Sequence, residues 1–400
     1  MQLHRVTLQR MNRKTLLATG LSLIASYSGY TLITDNDQVI SPALAAQLSS
    51  PKINGAQLQN MLDAAVKSQK IPGAVMYVST PAGKWIGASG VSNLQTKTVM
   101  KPNDGFSIAS MSKTFVSVAV LKLVEAGKID LDGVITEYLP TDISPNITNS
   151  DLITVRQLLN NTSGVAEYLS TDGFKNATKK RPRSKPWTAR EAIKYIYNAD
   201  ALSAPGNKFI YTDSNYILLE LIVENVTKNT LAHAIRTSIL QPLALKHTFT
   251  ELREPVVGNP ATGYGNRNKD GKLESFANVN DGNGLGDGSL ISNAEDIANF
   301  ASALFGKKTL LSPKMLSEML VMKNENEIGN GYGLGVEKFQ TSQGMFVGHT
   351  GSAYGFNTLM AYSPKRNTTL VVLFNSQSSN VKTLAFKAAD SALNNIALKK

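Results

Sequence analysis

Apolar residues recur at helical spacing between residues 57 and 69, through Leu58, Met61, Leu62, Ala65 and Val66, and Ile71-Pro72-Gly73 stops the pattern. Residues 74–79 and 84–89 are β-rich runs on either side of Pro81-Ala82-Gly83, which predicts a hairpin. Residues 113–126 are strongly apolar and close at Gly127, a residue suited to the left-handed end of a helix. From about 130 to 250 the patterns are mostly helical and broken by loops, and they include residues 215–226. β-type runs return at 345–348, 357–362 and 368–374, with Pro364-Lys365-Arg366-Asn367 turning between the last two, and a helix is predicted over 381–398. Strands at both ends with helices between them predict an α/β protein of the α+β type. Its antiparallel sheet, flanked by helices, would be built from both chain ends, with an all-helical subdomain inserted over about 130–280.

The first 46 residues read differently. Arg5, Arg10, Arg13 and Lys14 precede any acidic residue, an apolar stretch diluted by small and polar residues spans 16–33, and Ala43-Leu44-Ala45 follows as a small-x-small cleavage signal. The segment is expected to be a signal peptide or an uncleaved N-terminal anchor, so the protein is exported, periplasmic or secreted, and meets a membrane only if that segment is retained. Residues 47–400 would form one domain.

Composition narrows the chemistry. The 400 residues contain no cysteine, which removes disulfides, zinc–thiolate sites, iron–sulfur clusters and cysteine nucleophiles. The four histidines, His4, His233, His247 and His349, fall in no helical metal motif. No G-x-S-x-G elbow, P-loop or dinucleotide fingerprint in a strand-to-helix setting is present, so no metal or organic cofactor is expected. The formal charge of +11 suits an anionic environment without naming one.

Serine followed three residues later by lysine occurs at Ser49/Lys52, Ser110/Lys113 and Ser379/Lys382. Only Ser110 opens an apolar helix, where one turn puts its hydroxyl and the Lys113 amine on the same face. A serine hydroxyl is a poor nucleophile without a base, and lysine serves as one if its pKa is lowered; the helix N-terminus favours a developing oxyanion.

The stretch Phe106–Pro140, which contains Ser110-Met111-Ser112-Lys113 and ends Glu137-Tyr138-Leu139-Pro140, resembles the penicillin-recognising serine hydrolases. Within them it is most similar to the branch of class C β-lactamases, D-alanyl-D-alanine carboxypeptidases and related esterases. The resemblance continues through residues 153–159, Asn161-Thr162-Ser163-Gly164, residues 205–211, 241–245 and 288–296, and Gly331-Tyr332-Gly333-Leu334-Gly335. It implies that Ser110 forms an acyl-enzyme and that Lys113 and a tyrosine handle its proton. Tyr211 takes the tyrosine role, because Pro205-Gly206 precedes it and a predicted helix follows; Tyr264-Gly265-Asn266 matches the motif literally but lies in a glycine-rich loop.

Asp213 stands where the pattern has asparagine. A carboxylate only accepts hydrogen bonds, so it would favour a protonated Lys113 and repel a substrate carbonyl. His349-Thr350-Gly351-Ser352 matches the third motif, where the resemblance implies that the strand edge pairs with substrate and that the N–H groups of Ser110 and Ser352 form an oxyanion hole. With a pKa near 6.5, His349 is expected to change charge across physiological pH. The implied substrates are a cell-wall D-alanyl-D-alanine peptide first, then small acyl esters or, weakly, β-lactams; a non-catalytic peptidoglycan-binding protein is the reading from another class. Five basic residues in Lys179–Lys185 read as a solvated loop or a contact for an anionic wall polymer, with no nucleic acid as partner. Tyr332 and Tyr354 are candidates to line the cleft, and Trp85 and Trp187 are assigned to packing.

Overall fold

A computed structural model of the 400-residue chain describes residues 53–393, apart from 267–271, 281, 283, 289, 354 and 378–379, together with 21–26, 29–34 and 39–40. The chain divides into two compact units, Met1–Lys52 and Ile53–Lys400. In the first, Leu21–Ser26, Gly29–Thr34 and Val39–Ile40 form a small antiparallel sheet in which Ser26 faces Gly29. The rest of the predicted export segment lies outside the described residues, as do Ser49, Lys52, Ser289, Tyr354 and Ser379. Among the described residues no helix is long and apolar enough to cross a membrane.

The second unit is organised by an eight-stranded antiparallel sheet. Its strands are β1 (Gly73–Thr80), β2 (Gly83–Asn93), β3 (Thr98–Val99), β4 (Gly331–Tyr332), β5 (Glu337–Thr341), β6 (Gly344–Ala353), β7 (Phe356–Ser363) and β8 (Thr368–Phe374), in the spatial order β4-β5-β6-β7-β8-β1-β2-β3. The β8–β1 pairing, with Phe374 opposite Ala74, joins the two ends of the chain.

Period-two alternation assigns the faces. Leu370, Val372 and Phe374 of β8 pack with Met76 and Val78 of β1 beneath α1 (Gly55–Ser68) and α5 (Val381–Leu393). Val371 and Leu373 turn to the opposite side, where α2 (Ser112–Glu125) and α4 (Ala294–Ala301) cover the sheet and α3 (Ser214–Thr227) packs against α2. Phe115 of α2 stacks on Phe300 of α4 with ring centroids 3.6 Å apart. Every residue of α2 from Ser112 to Leu121 is buried, as expected for a helix that is apolar on nearly all sides. Between α2 and α4 the chain carries the short helices Val155–Leu159, Asp172–Thr178, Ala189–Ile193 and Leu231–Ile235 beside α3. Thr154 and Thr188 open the first and third of these with capping boxes.

Two strands exceed what periodicity signals. β6 runs through His349-Thr350-Gly351-Ser352 to Ala353, because small and polar residues there interrupt the apolar alternation without breaking the ladder to β7. β5 reads Glu-Lys-Phe-Gln-Thr, and with one apolar side chain to bury it carries no period-two signal.

Candidate active site

Ser110 sits in a single 3-10 turn, Ala109–Met111, that feeds directly into α2. The turn is tied down on both sides: the Ile108 N–H donates to the Leu290 carbonyl at 2.9 Å, and the Thr358 hydroxyl of β7 donates to the Ile108 carbonyl at 3.1 Å. Buried Ala109 is held at φ 49°, a left-handed conformation costing a residue with a Cβ about 1–2 kcal/mol. Strain at this point presents the following residue, Ser110, at the mouth of a cavity.

Lys113 is 0% exposed. An ammonium has three N–H donors, and here each has an acceptor: Ser110 Oγ at 3.1 Å, Asp213 Oδ1 at 2.6 Å and the Asp287 carbonyl at 2.7 Å. Burial disfavours its charge, but the Asp213 carboxylate, with Tyr211 and Asp287, outweighs burial and holds the amine above the ordinary lysine value. The resting lysine is therefore an ammonium.

Asp213 occupies the N-cap position of α3 yet makes no capping bond; its carboxylate goes to Lys113 instead. Forgoing a cap costs about 1 kcal/mol. The segment is fixed by the Asn161 loop: the Asn215 amide donates to Asn161 Oδ1 and to Thr212 Oγ1, both at 2.8 Å, and the Ile210 N–H reaches the Asn161 carbonyl at 2.9 Å. Tyr211 is 39% exposed and lines the cavity beside Ser110, with the Lys113 ammonium 5.1 Å from its ring centroid. Burial raises the phenol above its ordinary value despite the opposing ammonium, so it is present as the neutral donor.

Two further acids stand behind the ion pair. Glu167 accepts the Asp213 N–H at 2.5 Å, and Asp287 accepts the Tyr168 hydroxyl on Oδ2 at 2.8 Å while its Oδ1 is buried without a hydrogen bond. Burial, reinforced by the Asp213 charge, pushes each carboxyl up to about 7. A carboxyl whose folded pKa is raised binds its proton more tightly in the native state, so its stabilisation is complete below the unfolded value near 4 and is lost as pH rises to about 7. Asp287→Asn should flatten the wild-type fall in melting temperature over that window by about 2–5 °C. Parallel profiles for the two proteins would contradict this account of Asp287.

On the strand side, His349 is 1% exposed and is pinned at both ring nitrogens, Nε2 lying 3.0 Å from the Tyr332 hydroxyl and Nδ1 2.5 Å from the Thr350 carbonyl. Burial lowers its pKa and is only partly offset by Glu337. The expected change of charge is thus displaced toward lower pH, because an imidazolium would be desolvated here. Glu337 Oε1 accepts the Thr350 N–H at 2.8 Å and the Thr350 hydroxyl at 2.5 Å. Side chains therefore satisfy both polar backbone groups of Thr350, so that part of the strand edge expected to pair with substrate is already covered. Gly351 serves another purpose: a Cβ there would lie 2.2 Å from the Ile108 carbonyl, so only glycine lets β6 cross the turn that carries Ser110.

The structure brings Ser110, Tyr211, Asp213, His349, Thr350 and Ser352 together around one cavity of about 530 Å³, with buried Lys113 beneath. Tyr332 lines it too, whereas Tyr264 is buried in a short strand where its hydroxyl accepts the Leu94 N–H. Sequence reasoning missed Glu167, Asp287 and Glu337. Asp287 alone carried a usable signal, since it adjoins the family-like stretch that begins at Gly288.

The family profile described as Beta-lactamase matches residues 58–393. Protein flp of Staphylococcus aureus strain COL is 26% identical over 338 residues, covering 82% of this chain and 64% of its own length. The putative penicillin-binding protein PbpX of Bacillus subtilis strain 168 is 28% identical over 284 residues, with coverage of 70% and 64%. The chain thus spans less than two thirds of the length of these relatives. Among solved structures, a D-stereospecific amidohydrolase from Streptomyces sp. superposes with a TM-score of 0.73 at 26% identity, over 86% of this chain and 100% of its own. The octameric penicillin-binding protein homologue from Pyrococcus abyssi does so at 0.74 and 24%, over 86% and 78%. With a serine and a lysine joined at the head of a buried helix, and a family match over most of its length, the chain belongs to the beta-lactamase family of SxxK serine hydrolases.

Proposed function

We propose that this protein is an exported serine hydrolase that cleaves short D-aminoacyl amides or esters through an acyl-enzyme on Ser110. Lys113 first hands one of its protons to the Asp213 carboxylate 2.6 Å away, which frees the Nζ lone pair, and Ser110 Oγ then attacks the acyl carbonyl as its own proton passes to Nζ. The new C–O bond is the acyl-serine ester. The carbonyl oxygen, negative while tetrahedral, is held by backbone N–H groups of Ser110 and Ser352. Tyr211 gives a proton to the leaving nitrogen or oxygen and regains it through Lys113. Water then hydrolyses the ester by the same relay in reverse. His349 keeps the strand in place without contributing charge.

The observation that carries the substrate reading is Asp213. One carboxylate oxygen is used by Lys113, and the residue lines the cavity beside Ser110, so the other is placed to accept a hydrogen bond from a free α-amino group rather than hold a carbonyl. Covered backbone groups at Thr350 also suit a single acyl residue better than an extended, N-acylated peptide, which disfavours the D-alanyl-D-alanine carboxypeptidase reading. The likeness to a D-stereospecific amidohydrolase supports the D-amino acid. The test is a pair of substrates that differ only in the amine, D-alanine p-nitroanilide and its N-acetyl derivative. Wild type should prefer the free amine by about 10–100-fold in kcat/KM, the worth of a charge-assisted hydrogen bond, and Asp213→Asn should erase the preference. A preference for the N-acetyl compound would point back to a peptidase.

A further inference from the structure

Away from the Ser110 cavity, a second cavity of about 440 Å³ is lined by Lys180, Arg181, Lys185, Trp187, Glu191 and Lys194, among others. Three of its four cations, Lys180, Lys185 and Lys194, are exposed, and their ammonium groups have no hydrogen bond or ion pair among the described residues. Among the described residues Glu191 is the one acid lining the cavity, and it is already engaged: Arg181 holds both its oxygens, at 3.2 and 2.8 Å, and the Thr188 N–H donates to it at 3.0 Å.

The loop that displays these lysines is fixed rather than merely solvated. Arg181 stacks over the Trp187 ring at 4.0 Å and donates to the carbonyls of Lys185 and Pro186, both at 2.7 Å. Asn280 donates to the carbonyls of Pro182 and Lys185 at 2.8 and 2.9 Å, and the Trp187 indole N–H returns to the Asn280 carbonyl at 3.1 Å. Two arginines of the basic run are thus spent on the scaffold, since Arg183 pairs with Glu251. A rigid rim gathering exposed ammonium groups, with Lys194 also in the field of the Asp142 carboxylate, costs repulsion unless an anion fills the space between them.

We infer that this groove binds a phosphodiester-linked polyol chain, a polyanion without bases. Several separate ammonium point charges around an open groove suit successive phosphates, whereas a lone carboxylate is better met by a bidentate guanidinium, and Arg181 is taken. Trp187 is 3% exposed, so it offers neither a base-stacking platform nor a membrane anchor. The inference is independent of the Ser110 chemistry.

The test measures binding of the full chain to poly(glycerol phosphate) across a salt series, with polyglutamate and single-stranded DNA of equal charge as competitors. The comparison protein is Lys180→Gln/Lys185→Gln/Lys194→Gln, which alters exposed side chains alone and should keep wild-type melting temperature. Expected are binding by wild type, at least about a tenfold loss in the variant, a shallower dependence of log affinity on log salt, and weaker competition by both other polymers. Failure of wild type to bind, unchanged binding by the variant, or equal or better binding of polyglutamate or DNA would overturn the inference.

Discussion

Ser110→Ala is expected to lower kcat on D-aminoacyl substrates by about 10⁴-fold or more while leaving the melting temperature close to that of wild type. The activity loss follows from removing the only atom that forms the acyl bond. Stability should survive because the hydroxyl accepts one of three Lys113 hydrogen bonds, and the site opens to a water-sized neighbour that can replace it. The strained φ at Ala109 is set by the Ile108 tethers rather than by the serine. A full-strength Ser110→Ala enzyme would mean that another group attacks the substrate.

Lys113→Met should be costly twice. It removes a fully buried ammonium and leaves Asp213 and the Asp287 carbonyl without their donor, a loss of about 3–5 kcal/mol for a broken buried pair. It also stops the proton relay, with a drop in kcat of about a thousandfold or more. The double variant Lys113→Met/Asp213→Asn separates the two effects. Removing the orphaned charge should return a large part of the stability and none of the activity. Recovery of activity in the double variant would show that Lys113 matters only as the counter-ion of Asp213.

Much of this arrangement was legible in the residues, for reasons that can be stated. Strands buried on both sides, such as Thr368–Phe374, and helices buried nearly all round, such as α2, advertise themselves by uninterrupted apolar runs. Ser110 and Lys113 were legible because a helical turn is a local structure. Asp213 stood out as a departure at a motif position, and its predicted effect on Lys113 depends on charge alone, which outweighs the opposing effect of burial.

What stayed hidden was non-local. Glu337 lies 13 residues before Thr350, on a short strand with little apolar signal, and only the β5–β6 register brings its carboxylate to the Thr350 N–H. Glu167 and Asp287 reach Asp213 and Lys113 from loops whose spacing in sequence carries no period. The shift of His349 was hidden for the same reason: its residue type fixes an ordinary pKa, but burial between Tyr332 and Thr350 decides the direction in which it moves.

The most direct test of the central claim is a rapid acid quench of wild type and Ser110→Ala during turnover of a D-alanine thioester, followed by intact-mass analysis and peptide mapping. The account predicts a mass increase of one alanyl group on the wild-type peptide containing Ser110, and no such increase in Ser110→Ala. An alanyl group on any other residue, or turnover that persists in Ser110→Ala, would contradict it.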